Sequence, residues 1–171
     1  MTIERVMNDE NGEVQYVLLN LDDGEMMQRS KVKPKSHWEF LKQILEAIIT
    51  SPDHSITETQ ALGLIFKIPR ELPKHPSSET AEQLLSEWIE GHILVKNEGE
   101  VTLGFVGVAE FRQIIMSRLP EAHCSVCKET CLAGTSCPHC SKAMHKTCYG
   151  RLRSGPGTSV GVKCHGCNNV F

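Results

Sequence analysis

Between residues 34 and 120 the apolar positions follow helical spacing and then switch to strand-like alternation. Phe40, Leu41, Ile44, Leu45, Ile48 and Ile49 make one face of a helix over about 37–50, preceded by Pro34 and by Ser36-His-Trp-Glu39, which reads as a capping box. Thr57-Glu-Thr-Gln60 offers a second box before ALGLIF, a shorter helix ending near 66, and IPRELPKHP reads as a proline-punctuated loop. Ser77 or Ser78 caps a third helix over 78–90, with Ala81, Leu84, Leu85, Trp88 and Ile89 on one side and Gly91 just past its end. HILVK, the turn NEG and EVTLG predict a β-hairpin, followed by a helix over roughly 107–118. Three helices followed by a hairpin predict a winged helix, with Trp88 in its core. Upstream, IERVM and EVQYVLLNL around the acidic turn DENG predict another hairpin, too small to bury both its faces alone. RSKVKPK at 29–35 reads as a solvated basic linker.

Charge divides the chain unevenly. Residues 1–123 carry twelve Lys and Arg against twenty Asp and Glu, whereas 124–171 carry six against one. The third helix bears Glu79, Glu82, Glu87 and Glu90 and no basic residue, where a DNA reader needs Lys and Arg, so direct DNA binding is not expected and protein docking is. The longest apolar runs fall short of a membrane span and Met1 opens no secretory leader, which predicts a soluble, non-secreted protein with no membrane partner.

All eight cysteines lie between 124 and 167. Seven of them with His145 form four pairs, each with two residues between its members: Cys124 and Cys127, Cys137 and Cys140, His145 and Cys148, Cys164 and Cys167. That spacing lets a tight turn aim two soft donors at one ion, so the four pairs predict two tetrahedral zinc sites. An iron–sulfur cluster fits the HxxC pair less well, and thioredoxin-like chemistry needs one CxxC on a strand–helix unit. Both zinc ions are expected to be structural, because four protein donors leave no position for water. No catalytic residue is assigned. Few large apolar side chains occur here (Val126, Leu132, Met144, Tyr149, Leu152, Val160, Val162, Phe171), so zinc must supply the folding energy. Cys131, His123, His139 and His165 are read as surface or supporting residues. Spacing alone leaves the pairing open between sequential and interleaved sets.

The order of four Cys, one His and three Cys, with gaps of 2, 9, 2, 4, 2, 15 and 2, resembles the cross-braced RING and PHD families. That resemblance implies interleaved sites: Cys124, Cys127, His145 and Cys148 for one, Cys137, Cys140, Cys164 and Cys167 for the other. A PHD finger, which reads histone tails, normally has an aromatic residue where this chain has Val162. A RING usually has an aliphatic residue before its second ligand, matched by Val126, a proline after its seventh, where His165 stands, and a basic residue after its eighth, where Asn168 stands.

YVLLNL, WEFLKQILEAII, AEQLLSEWIEGHILVKNEGEVTLG and SRLPEAHCSVC, in that order before the zinc tail, resemble the RING-containing non-SMC element family of the structural-maintenance-of-chromosomes complex that works in DNA repair. The resemblance implies an α+β chain. Residues 1–33 would hold the hairpin of a first winged helix and a basic linker, 34–120 a winged-helix domain, and 121–171 a RING-like zinc domain. It further implies a nuclear ubiquitin-ligase subunit that docks a MAGE-type partner and a kleisin subunit and receives a ubiquitin-conjugating enzyme at Val126 and Leu132. A non-enzymatic zinc-stabilised assembly subunit and a histone-tail-reading PHD-like module are the alternatives.

Overall fold

Phe40, Leu41, Ile44, Leu45 and Ile48 are almost wholly buried, and around them the winged helix of the computed structural model is built. The structure describes residues 2–8, 12–19, 34–132, 134–154 and 161–170. The tip of the DENG turn, residues 29–33 of the RSKVKPK linker, Val160 and Phe171 lie outside them. The described residues belong to two compact units, one of Met1–Glu4 and Val17–Glu110, the other of Arg5–Tyr16 and Phe111–Phe171. The chain opens with a hairpin of β1 (Thr2–Met7) and β2 (Val14–Leu19).

In the first unit, α1 (Lys35–Thr50) buries the predicted apolar face. Its start differs from the capping-box reading. The N-cap is Pro34, and Ser36 lies inside the helix, fully buried, with its hydroxyl directed at the carbonyls of Lys74 (2.6 Å) and Pro73 (3.2 Å). Ser36 already stands inside the first turn and so cannot be the N-cap, and Glu39 accepts from Gln43 Nε2 at 3.0 Å. Ser36 therefore pins the proline loop. Ser36→Ala removes this donor from the carbonyls of two exposed loop residues and is expected to cost about 0.5–1.5 kcal/mol, read as a lower urea midpoint at unchanged slope.

The second capping box forms as predicted. Thr57 accepts from the Gln60 backbone N–H while the Gln60 side chain accepts from that of Thr57, opening α2 (Glu58–Gly63), which runs on as a 3₁₀ turn over Leu64–Lys67. Ser77 caps α3 (Ser78–Glu90), whose buried face is Ala81, Leu84, Leu85 and Trp88, with Ile89 half-buried. Trp88 is a core residue, its ring 5.5 Å from that of Phe40.

The wing pairs β4 (Leu94–Asn97) with β5 (Glu100–Leu103), Leu94 opposite Leu103 and Asn97 opposite Glu100. Glu98 (φ 51°) and Gly99 (φ 85°) form its two-residue turn, both left-handed as a tight hairpin with native strand twist requires. A two-residue strand not foreseen in the sequence, β3 (Ile56–Thr57), pairs Ile56 with Val101 and makes the order β3-β5-β4. The single helix expected over 107–118 is two, α4 (Phe105–Glu110) and α5 (Arg112–Arg118), broken at buried Phe111 (φ −100°, ψ 11°). The second unit adds the short pair β6 (Thr135–Ser136) and β7 (Ala143–Met144), then α6 (Lys146–Arg153). Among the described residues no helix is long and apolar enough to cross a membrane.

Candidate metal centres

Three of the four donor pairs are built on the same backbone turn. The first cysteine's N–H donates to a carbonyl five residues on: Cys124 to Glu129 (2.8 Å), Cys137 to Lys142 (3.0 Å), Cys164 to Asn169 (2.8 Å). Its carbonyl accepts from the residue four on: Lys128 (2.9 Å), Ser141 (2.8 Å), Asn168 (2.9 Å). Those three residues are left-handed, with φ of 66°, 57° and 60°. One left-handed residue reverses the chain tightly enough to aim both thiols of each CxxC to one side. The fourth pair uses a helix instead: His145 is the N-cap of α6 and Cys148 lies in its first turn.

The turns converge as two separate donor sets. Cys124, Cys127, His145 and Cys148 form one, Cys137, Cys140, Cys164 and Cys167 the other, and within each set the donor atoms lie within 4.8 Å of one another. The arrangement is interleaved: the first and third pairs share a set, as do the second and fourth. His145 Nδ1 is 3.3 Å from Cys127 Sγ and 3.8 Å from Cys148 Sγ, while Cys137 and Cys167 approach at 3.8 Å and Cys140 and Cys164 at 3.6 Å. A regular tetrahedron of zinc–sulfur bonds about 2.3 Å long has edges of about 3.8 Å, so these separations are close to those a zinc ion requires. The buried His145 ring directs Nε2 at the Thr130 carbonyl at 3.0 Å. That contact fixes the proton on Nε2 and leaves the Nδ1 lone pair for the metal.

The acid–base balance of the thiols also calls for a cation. Burial pushes the Cys124 thiol up, but hydrogen bonds from the backbone of Cys127, His145 and Val126, with the His145 ring, outweigh it and bring it down to about 7. Cys164 likewise overcomes its burial through the N–H groups of Gly166 and Cys167 and the neighbouring Cys140 and Cys137, and reaches about 7. Their set-mates pay for this. Burial and repulsion from Cys124 and Cys127 push Cys148 up to about 12, and burial raises Cys127. For Cys140 the Lys142 backbone lowers the thiol, but burial and the other three thiols outweigh it and push it up to about 12. Each set thus ionises readily once and resists further ionisation, a resistance that a divalent ion removes.

The remaining candidates lie outside both sets. Cys131 is buried in the unit's apolar cluster with Met7, Cys124, Met144 and Cys148. His123 Nδ1 lies 3.1 Å from the Pro120 carbonyl, and His139 and His165 are exposed. Val126 and Leu132 are half-buried, Val126 against the apolar cluster, and Val162 is buried. Sequence reasoning missed the Thr130 carbonyl, which no side chain advertises, and Gly134, where a Cβ would meet the Met144 carbonyl and the Cys131 sulfur. It also missed Met7 and Val14 of the first hairpin, which pack on the zinc module's core. The small size of that core was the signal that more of the chain was needed.

No protein-family model matches the chain. Over 171 residues it is 25% identical to the "Non-structural maintenance of chromosomes element 1 homolog" of Homo sapiens and 24% identical to that of Rattus norvegicus, covering 99% of this chain and 62% of each relative. The Xenopus laevis relative of the same name is 24% identical over 173 residues. The chain therefore spans about 62% of the length of the curated relatives it matches. A chain of the solved "Nse1-Nse3-Nse4 complex" shares its fold with a TM-score of 0.77 at 23% identity, over 100% of this chain and 72% of that one. The resemblance to the RING-containing non-SMC element family thus extends over the whole sequence and its fold.

Proposed function

We propose that this chain is a zinc-stabilised subunit of a chromosome-maintenance complex acting in DNA repair in the nucleus, and that its RING-like module acts as a ubiquitin ligase. The interleaved pair of closed donor sets carries the reading, because it builds a rigid cross-braced surface and leaves no reactive group on the metal. Zinc supplies structure alone. The work left to the chain is positional: holding a charged conjugating enzyme so that a substrate lysine meets the thioester, a gain from proximity and orientation. Val126, set between two donors of the first site, is the contact assigned to that enzyme, with Leu132 as a weaker second. The winged helix docks a MAGE-type partner and a kleisin subunit. An outward α3 face carrying Glu79, Glu82, Glu87 and Glu90 suits a basic protein surface better than a polyanion.

One observation favours the non-enzymatic reading. His165 and Asn168 stand exposed where an active RING usually has a proline and a basic residue, and Asn168 is used for its left-handed backbone in the third turn. Autoubiquitination with a panel of conjugating enzymes, with and without the MAGE-type partner, separates the two. Transfer is expected with at least one enzyme, rising with the partner. Val126→Arg should lower it at least tenfold while two zinc ions stay bound, and Cys164→Ser should abolish it. Absence of transfer under both conditions leaves the assembly role.

A further inference from the structure

From residue 130 to the end of the chain there is no Asp or Glu in 42 residues, yet Lys142, Lys146, Arg151, Arg153 and Lys163 are all present and exposed. The one acid in 124–171 is Glu129, already matched by Arg5 at 3.2 Å and Arg112 at 3.5 Å. Seven thiolates and two zinc ions would leave −3 in the two centres, so the module as a whole stays positive against the +5 of its Lys, Arg and Glu. Helix α6 organises this charge. Cys148, Tyr149 and Leu152 face inward, Cys148 as a donor and the other two against the apolar cluster. Lys146, Gly150 and Arg153, at i, i+4 and i+7, form a ridge away from that inward face, and exposed Arg151 stands about 100° round the helix from Gly150. The ridge is about 10 Å long. A Cβ placed at Gly150 would meet nothing within 4 Å, so the backbone there is open to close approach.

We propose that this α6 ridge, Lys146, Gly150, Arg151 and Arg153, binds the phosphate backbone of duplex DNA without regard to sequence. Arg151 and Arg153 are residues a protein partner also uses, but the ridge offers no aromatic or large apolar side chain to seat in a partner's pocket. Single-stranded nucleic acid needs aromatic platforms for its bases, and Tyr149, the one Phe, Tyr or Trp among the described residues of 121–170, packs inward. Basic side chains flanking an open backbone position are what a phosphate backbone recognises, by release of its counterions. The expectation of no direct DNA binding rested on the carboxylates of α3. Those still exclude groove reading by the winged helix, and α6 is a separate surface of opposite charge.

Fluorescence anisotropy of the zinc-loaded full chain with two unrelated duplexes of about 30 base pairs tests this between about 50 and 200 mM salt. Equal affinity for both sequences is expected. Lys146→Glu/Arg151→Glu/Arg153→Glu should weaken binding more than tenfold and make the log–log salt slope shallower by about 2.7, at about 0.9 per phosphate contact. Lys67→Glu/Arg70→Glu/Lys74→Glu, the same charge change on the exposed surface of the winged helix, should leave affinity and slope near those of the parent. Should the reversal variant hold fewer than two zinc ions, the alanine triple replaces it, with a shallower slope again expected. Any of four results overturns the proposal: no duplex binding at the low salt, an unaffected α6 variant, an equal loss in the control, or displacement by polyglutamate at matched charge as effective as by unlabelled duplex.

Discussion

Stripping zinc from the full chain unfolds the zinc module while the winged helix stays folded. The apolar cluster of the module is Met7, Met144 and three cysteines, edged by half-buried side chains such as Val14, Val126 and Leu152. So few groups cannot offset the ordering entropy of some sixty residues at about 1–2 kcal/mol each for the backbone alone. Each structural zinc contributes on the order of 10 kcal/mol, more than any other single term in the unit. Elemental analysis should find two zinc ions per chain. After chelation, amide exchange should reach the unprotected rate over 121–170 and remain slow in α1 and α3. Fewer than two ions, or a module still protected after chelation, would contradict this account.

Acid should do the same work as the chelator, and the sign follows from the thiols. Cys124 and Cys164, held down at about 7, favour the folded form above the ordinary thiol range and lose that contribution as pH falls through 7. Cys148 and Cys140, pushed up to about 12, behave oppositely in the absence of metal: they favour the folded form while protonated and lose that contribution as pH rises toward 12. Zinc reverses this second pair, because coordination demands thiolates and releases their protons. Zinc retention should therefore rise with pH, with release on the acid side. A chromophoric chelator titrated across pH reads the release.

Which parts of this could be read without coordinates follows from how local the determining physics is. The α1 and α3 faces, the Thr57–Gln60 box and the paired donors depend on residues three or four apart, so spacing alone reveals them. Interleaving of the two sets is not local. It depends on β6, β7 and α6 bringing His145 and Cys148 back to Cys124, and it was reached only through the likeness to cross-braced families. Ser36 misled because the signature of a cap is the same whether the hydroxyl turns to its own helix or to a loop 37 residues away. The break at Phe111 leaves no mark in an apolar pattern that runs on through Ile115, which is also buried.

The first hairpin is a working part of the zinc module, so damage to its tip should loosen a metal site more than a hundred residues away in sequence. Met7 is 5% exposed and sits in one cluster with the ligands Cys124 and Cys148. Its truncation to alanine is expected to cost about 2–5 kcal/mol. Gly12 is left-handed at φ 72°, and a Cβ there would collide with the Thr147 side chain on α6, between His145 and Cys148. Gly12→Val combines the two penalties. A β-branched residue in that backbone region costs of order 1–3 kcal/mol, and the collision forces α6 or the turn to move. Adding Thr147→Ala removes only the collision, so the double variant should recover part of the loss and Thr147→Ala alone should be mild. Cobalt in place of zinc distinguishes a three-sulfur, one-nitrogen site from a four-sulfur site by its visible spectrum. Both hairpin variants should release metal first from the set of Cys124, Cys127, His145 and Cys148. Equal loss from both sets, or loss first from the all-cysteine set, would mean that the hairpin does not support that first site.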